Sequence, residues 1–444
     1  MRKDKLLFNI KLPTLAQNII STLLRQVSSV VIGLGLSIFL ARTLGPEGNG
    51  IYTLAILLPT LLTNFLNLGI APANVYFISR GDISVRNAFQ TNLWIGYLLA
   101  LLGIIAGTLT ILLFSNALFP GVPSLILWIA LLTFPVNLIQ SFLVSLLQGI
   151  QDFKRFNGLL IFVPIANILF IIIAIWGFNL DILGALIGYA LAQGFGLYLT
   201  ICTLRPYLSQ NNVSVPLYKY AKKSINYGWK AHLSNILAFI NYRLDIFLVN
   251  LFLNPIATGI YVIAVQIAER LWIVSGAVST VILPRLSELH NNENSRRSLT
   301  PLIARWVLLI TFISALIIAF TSKFFIRILF GEAYLEASTA LLLLLPGIIC
   351  GSFSRIFAND LAARGRPELN MYTALIIVAI NTIANIILIP RFGINGAAVA
   401  TTLSYASNTI TKLYLYSKIS QNSWWKSLFI NQDDLILIKG ILRK

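Results

Sequence analysis

The sequence predicts an all-α polytopic membrane protein of about twelve transmembrane helices, in two six-helix lobes related by a parallel repeat. Three observations predict it. First, of 444 residues 57% are hydrophobic and only 11% charged, with a mean hydropathy of +0.82. Soluble domains carry about 25% charged residues, so this chain has too few to cover a water-facing surface, and it is too apolar to be disordered. Second, the apolar residues form continuous runs close to the roughly 20 residues that cross a bilayer core as helix. A transmembrane β-barrel would instead show alternating segments of about 10 residues. Third, the basic residues concentrate in every second loop, those of one side, and nearly avoid the loops between.

The runs, taken in order, are 17–41, 51–73, 90–114, 123–148, 158–177 and 182–204, then 229–253, 257–283, 302–322, 336–359, 371–390 and 394–417. The segment 1–16 precedes the first run and is read as cytosolic. Its charged start resembles a signal peptide, but the following run is too long and lacks a small-residue cleavage pattern, so it is read as a retained span. Spans 1–6 make an N-lobe, 17–204. The polar, basic stretch 205–228 is expected to be a cytosolic inter-lobe linker. Spans 7–12 make a C-lobe, 229–417. The tail 418–444, with Trp424 and Trp425 at its start, is expected to lie on the cytosolic membrane surface.

Lysine and arginine fix the expected orientation. The loops and termini of one side hold 22 of them. The alternate loops hold four: Arg42, Lys323, Arg327 and Arg391. By the positive-inside rule both termini are cytosolic. The same rule explains the net charge of +18 without nucleic acid. Cys202 and Cys350 lie inside apolar runs, and His232 and His290 have no ligand pattern around them, so no disulfide framework or metal site is expected. No phosphate-cradling or HExxH motif is present, so ATP hydrolysis and metal catalysis are not expected either.

The two halves repeat. L-G-P-E-G-N-G-I-Y-T-L-A begins at Leu44 and L-N-P-I-A-T-G-I-Y-V-I-A at Leu253, pairing Pro46 with Pro255, Gly50 with Gly259 and Tyr52 with Tyr261 at an offset of 209 (259 − 50). Looser matches pair Asn157 with Asn370, Asn167 with Asn381 and Gly184 with Gly396. Six spans return the chain to its starting side, so the repeat is parallel, about an axis along the membrane normal. The prolines are expected to open the helices that follow them.

Ionisable residues inside the spans hold most of the functional information. A charge at a helix centre costs about 2.5–3.5 kcal/mol on insertion scales, so it faces a cavity or a partner. Arg25, Arg243, Arg270 and Arg355 are the candidate substrate-binding cations. Asp245, Glu269 and Asp360 are candidates for ion coupling or salt bridges, and the sequence leaves those two roles open. Arg243 and Asp245 stand two positions apart, about 200° around a helix, so each needs its own partner on another helix. The repeat counterpart of Arg243 is Leu34, so the charges break the symmetry of the duplication. An arginine excess there suits an anionic ligand, and paired guanidinium groups suit phosphate oxygens.

The turn A-R-T-L-G-P-E-G-N-G-I-Y after span 1 resembles that of the bacterial polysaccharide-biosynthesis flippases, the Wzx-type branch of the MATE-like exporter (MOP) superfamily. Similar to that family too are N-Y-R-L-D-I-F-L-V-N in span 7, G-I-Y-V-I-A-V-Q-I-A-E-R-L in span 8 and T-V-I-L-P-R-L-S at its exit. The resemblance covers essentially the whole chain. It implies a MATE-like fold in the bacterial inner membrane and alternating access. It implies no enzymatic activity, and transfer of undecaprenyl-pyrophosphate-linked oligosaccharide from the cytosolic to the periplasmic leaflet, for O-antigen, capsule or exopolysaccharide export. It places Arg25, Arg243 and Arg270 in a cationic cavity, with Asp245 and Glu269 as secondary members. No cofactor is implied beyond H⁺ or Na⁺ as the candidate coupling ion. The implied partners are the lipid-linked oligosaccharide and the bilayer, with pathway enzymes as further candidates, and the transport unit is a monomer. The alternatives are a cation-coupled multidrug antiporter of the same superfamily, which needs acidic groups, and a lipid II flippase, a group that generally has fourteen spans.

Overall fold

The structure, a computed structural model, describes residues 12–209, 216–289 and 292–429. The expected N-terminal segment (1–11 of it), six residues of the expected linker, His290 and the tail from 430 lie outside these. Every regular element among the described residues is helical. Among the described residues nine helices are long and apolar enough to cross a membrane, or ten if one bent pair counts as a single span. Two of them are each divided by a residue with non-helical backbone, Gly45 (φ 65°) in one and Gly393 (φ 58°) in the other. Dividing both brings the count to the twelve expected spans. Contacts group the chain into two compact units, Met1–Ile236 and Leu237–Lys444.

The first unit starts with α1 (Leu12–Leu66), which holds spans 1 and 2 on either side of Gly45. Span 2 then continues past a break as α2 (Ile70–Ser79). α3 (Val85–Leu118) is span 3, and α4 (Ser124–Leu131) with α5 (Phe134–Gly149) forms span 4. α6 (Phe153–Ile172), lengthened by a π-turn through Gly177, is span 5, and α7 (Asp181–Leu204) is span 6. α8 (Leu217–Phe252) begins in this unit and ends in the next.

The stretch 205–228 is therefore no plain linker. Its last twelve residues are the first turns of α8, which runs without interruption into span 7. The basic residues Lys219, Lys222 and Lys223 hide this helix from a hydropathy reading, which sees only membrane-length apolar runs. A buried core explains why it forms: Tyr220 packs with Phe77, Leu146 and Leu204, and its hydroxyl donates to Asn74 Oδ1 at 3.1 Å.

The same helix closes over the break in span 2. Between α1 and α2, Leu68 and Gly69 take left-handed backbone (φ 50° and 71°), which frees carbonyls of the last turn of α1. The ring Nε2 of His232 on α8 lies 3.0 Å from one of them, the carbonyl of Phe65. Beside it the backbones of Gly69 and Gly228 touch, and a Cβ on Gly228 would stand 2.1 Å from the Gly69 carbonyl oxygen. Gly228→Ala is expected to lower stability by about 1–3 kcal/mol through this overpacking. Gly194→Ala, where a Cβ meets nothing within 4 Å, should not. Thermal unfolding in detergent compares the two.

The second unit contains the rest of α8, then α9 (Pro255–Glu269) and α10 (Trp272–Glu288), α11 (Glu293–Leu329), α12 (Ala337–Ala363) and α13 (Pro367–Ser420). The duplication shows in its turns. Pro255 opens α9 as expected, with the Asn254 side chain accepting from the Ala257 amide at 2.9 Å. Gly393 divides spans 11 and 12 where Asn179, 214 positions earlier (393 − 179), stands before span 6. Both are left-handed, at φ 58° and 52°.

Candidate functional site

The midspan charges of the second unit meet where three helices cross. α8 supplies Arg243 and Asp245, α9 ends on Glu269, and α13 brings Thr401 and Tyr405. The two α8 residues point apart, as their spacing requires. Arg243 Nη1 donates to Glu269 Oε1 at 3.2 Å and to its neighbour's carbonyl, Tyr242 O, at 3.1 Å. The Arg243 and Glu269 side chains keep 37% and 23% of their exposure, so water screens this pair.

Asp245 is nearly sealed, at 2% exposure. Among the described residues it has no cationic hydrogen-bond partner. Its Oδ2 accepts from the Tyr261 hydroxyl at 2.7 Å and from the Thr401 hydroxyl at 3.2 Å, and its Oδ1 from the Ile246 amide at 2.8 Å. Tyr261 is the residue that marks the repeat beside Tyr52. In the first half the position matching Asp245 is Leu36, so the tyrosine there has no carboxylate to hold. A paired Tyr and Asp in one half alone was the sequence signal for this contact.

Asp245 and Glu269 line one small cavity together with Tyr242, Thr401, Tyr405 and the apolar side chains of Val265, Leu344 and Ile348. Its volume is about 10 Å³, room for about one water. Two carboxylates with hydroxyls around so small a space could hold a proton or a bare monovalent cation. No group of three or more metal-type ligands occurs among the described residues.

Arg270 does not sit inside a continuous helix. Span 8 breaks there: α9 stops at Glu269, α10 starts at Trp272, and their axes differ by 43°. The Arg270 Nε is buried with no hydrogen-bond partner. Trp272, just past the break, is ringed by aromatics, with Tyr242 at 5.2 Å and Tyr405 at 5.5 Å between ring centroids. The Arg355 guanidinium lies over its ring at 5.4 Å. Broken spans at mid-membrane are tolerated where the freed backbone lines a cavity.

Two predicted residues stand elsewhere. Asp360, fully buried, accepts from the Thr300 hydroxyl at 2.7 Å and is ion-paired with Arg364. Arg364 also reaches Glu293 at 2.8 Å, so this network ties the start of α11 to the end of α12. Arg25 belongs to the first unit. Its Nε is buried without a hydrogen-bond partner, like that of Arg270. Trp272, Tyr261, Thr401 and Tyr405 were missing from the predicted set because none is charged.

The fold and this site define an all-helical, multi-pass membrane protein, duplicated over six spans, that holds charge within the spans of its second half. The chain belongs to the family described as polysaccharide biosynthesis protein, which it matches over residues 15–290. It is 30% identical over 226 residues to a probable low-salt glycan biosynthesis flippase, Agl15, of Haloferax volcanii, covering 50% of this chain and 48% of that one. The chain spans about half or less of the length of the first curated relatives it matches. Its fold is that of the lipid II flippase MurJ in an inward closed conformation (TM-score 0.76, 17% identity, covering 94% of this chain and 92% of that one). An inward-facing multidrug resistance MATE transporter of the MOP superfamily shares it too, with TM-score 0.66, 14% identity and coverage of 88% and 94%.

Proposed function

We propose that the chain is a flippase that moves an oligosaccharide linked to a polyprenyl diphosphate across the membrane by alternating access, from the cytosolic to the outer leaflet, for assembly of a surface polysaccharide. Both termini lie in the cytosol in this reading, and the membrane is the bacterial inner membrane. No bond is made or broken. Arg270 carries the proposal: a guanidinium with a buried, unpartnered Nε at the break of a membrane helix, in a chain of the polysaccharide biosynthesis family. A diphosphate supplies the acceptors it lacks, and fixed guanidinium groups replace the water such a group loses on entering the membrane. Arg25, Arg243 and Arg355 are the further substrate-binding cations. The glycan relative and the flippase neighbour support the substrate class.

Asp245 and Glu269 are the proposed seat of the coupling ion, H⁺ or Na⁺, since they share a cavity of the size of one such ion. That cavity also favours the second reading, a cation-coupled antiporter. The test is reconstitution into liposomes with a fluorescent polyprenyl-diphosphate saccharide and a membrane-impermeant quencher. Protein-dependent loss of protection from the quencher supports the flippase. Uptake of small organic cations with no lipid movement would replace it by the antiporter.

A further inference from the structure

Toward the Arg364 end of the second unit lies a second pair of cations that no carboxylate answers among the described residues. Lys412, in the second half of α13, is half-buried and has no hydrogen bond or ion pair among the described residues, and Arg355 is near enough to act on it with a like charge. The register of the helices shows why the two are close. The Thr402 hydroxyl donates to the Leu343 carbonyl at 2.6 Å and the Thr409 hydroxyl to the Cys350 carbonyl at 2.8 Å, an offset of 59 both times (402 − 343, 409 − 350). α12 and this part of α13 thus run parallel, and Lys412 stands level with Phe353, two residues or about 3 Å along the axis from Arg355. Each lies eight residues from its helix end (363 − 355, 420 − 412), so their depths agree.

Arg355 reaches across to α10. Its guanidinium covers the Trp272 ring at 5.4 Å, and its Nη1 would stand 3.7 Å from a Cβ placed on Gly276. That is ordinary contact distance, so the guanidinium lies against α10 at Gly276. The cation–π contact offsets part of the cost of keeping Arg355 here, but nothing comparable serves Lys412. Two like charges within a membrane protein repel strongly, and intramembrane ionisable groups are kept for function by default. A built site for an anion is the simplest reason to keep both. Trp272 also touches Tyr242 and Tyr405, which line the Asp245–Glu269 cavity, so this site adjoins that one without sharing its charges.

We propose that Arg355 and Lys412, beside Trp272, form a second anion site that takes the phosphate or diphosphate group of a membrane lipid. It rests on the lipid-linked substrate reading for its natural occupant, a polyprenyl diphosphate held before it reaches the Arg243–Arg270 level. An anionic phospholipid headgroup offers the same chemistry, and the test separates the two.

The full-length protein in phosphatidylcholine nanodiscs would be titrated with farnesyl diphosphate, for wild type, Lys412→Met and Lys412→Arg, with melting temperature measured alongside. The expected result is binding at least tenfold weaker in Lys412→Met and restored in Lys412→Arg. The melting temperature of ligand-free Lys412→Met should match or exceed that of wild type, because an unanswered charge is gone. Equal binding by Lys412→Met and wild type overturns the site. So does a loss of binding that follows a loss of stability and is not rescued by arginine. If phosphatidylglycerol in the disc blocks farnesyl diphosphate in wild type but not the residual binding of Lys412→Met, the site stands with a phospholipid as its occupant. If the liposome assay shows no flipping while farnesyl diphosphate binding still depends on Lys412, the anion site stands and the flippase reading falls.

Discussion

Arg243→Ala should lower the rate of lipid-linked saccharide transfer by at least a hundredfold while leaving the protein folded. The variant removes the donor to Glu269 and leaves that carboxylate without its hydrogen-bonded cation on a cavity wall it shares with Asp245. Breaking a fully buried pair costs about 3–5 kcal/mol. Here both side chains keep partial access to water, so screening reduces the cost toward about 1 kcal/mol. A transport defect much larger than the stability defect therefore separates a binding role from a structural one. The double variant Arg243→Ala, Glu269→Gln sharpens the comparison, since it removes the stranded charge as well. It should regain the stability of wild type and none of the transport. Transport that returns with the second substitution would make the pair a structural bridge.

Asp245→Asn should uncouple transport from its ion gradient. An asparagine has nearly the same shape, and its oxygen can still accept from the Ile246 amide. The hydroxyls of Tyr261 and Thr401 can turn to accept from its amide nitrogen, since hydroxyl groups both donate and accept. The fold should survive with a loss of no more than about 1–2 kcal/mol. What asparagine cannot do is change charge or hold a cation as a carboxylate does. In liposomes an imposed H⁺ or Na⁺ gradient should speed transfer by wild type and leave Asp245→Asn at the rate seen without a gradient. Equal acceleration in the two proteins would remove Asp245 from the coupling role and leave Glu269 as the remaining carboxylate of the cavity.

The twelve spans and their duplication were legible because both are written in local pattern: apolar runs of membrane length, and a proline-glycine turn repeated at a fixed offset. The opposed directions of Arg243 and Asp245 followed from helix geometry, and the structure supplies the separate partners that geometry demands. For Asp360 the sequence left ion coupling and a salt bridge open; the structure pairs it with Arg364, four residues on along one helix face.

Three features were out of reach for physical reasons. The early start of α8 lies in a polar segment, and the reason it is helical is a contact between Tyr220 and residues about 140 positions earlier in the chain. The break at Arg270 has no proline or glycine to announce it, for the sequence there is A-E-R-L-W, all ordinary helix residues. Lys412 sits close to the end of the last apolar run, where a lysine reads as one that reaches for the headgroups. Only the register of α12 against α13 shows that it stands at the level of Arg355 instead.

The central claim is that arginines of the second unit carry a diphosphate-linked lipid across the membrane. The most direct test is the quencher assay in liposomes on wild type and on Arg270→Gln, a variant that removes the charge and keeps a shorter polar side chain. The account requires rapid transfer by wild type, transfer near the protein-free rate by the variant, and equal melting temperatures. Wild-type transfer that persists unchanged in Arg270→Gln would contradict it.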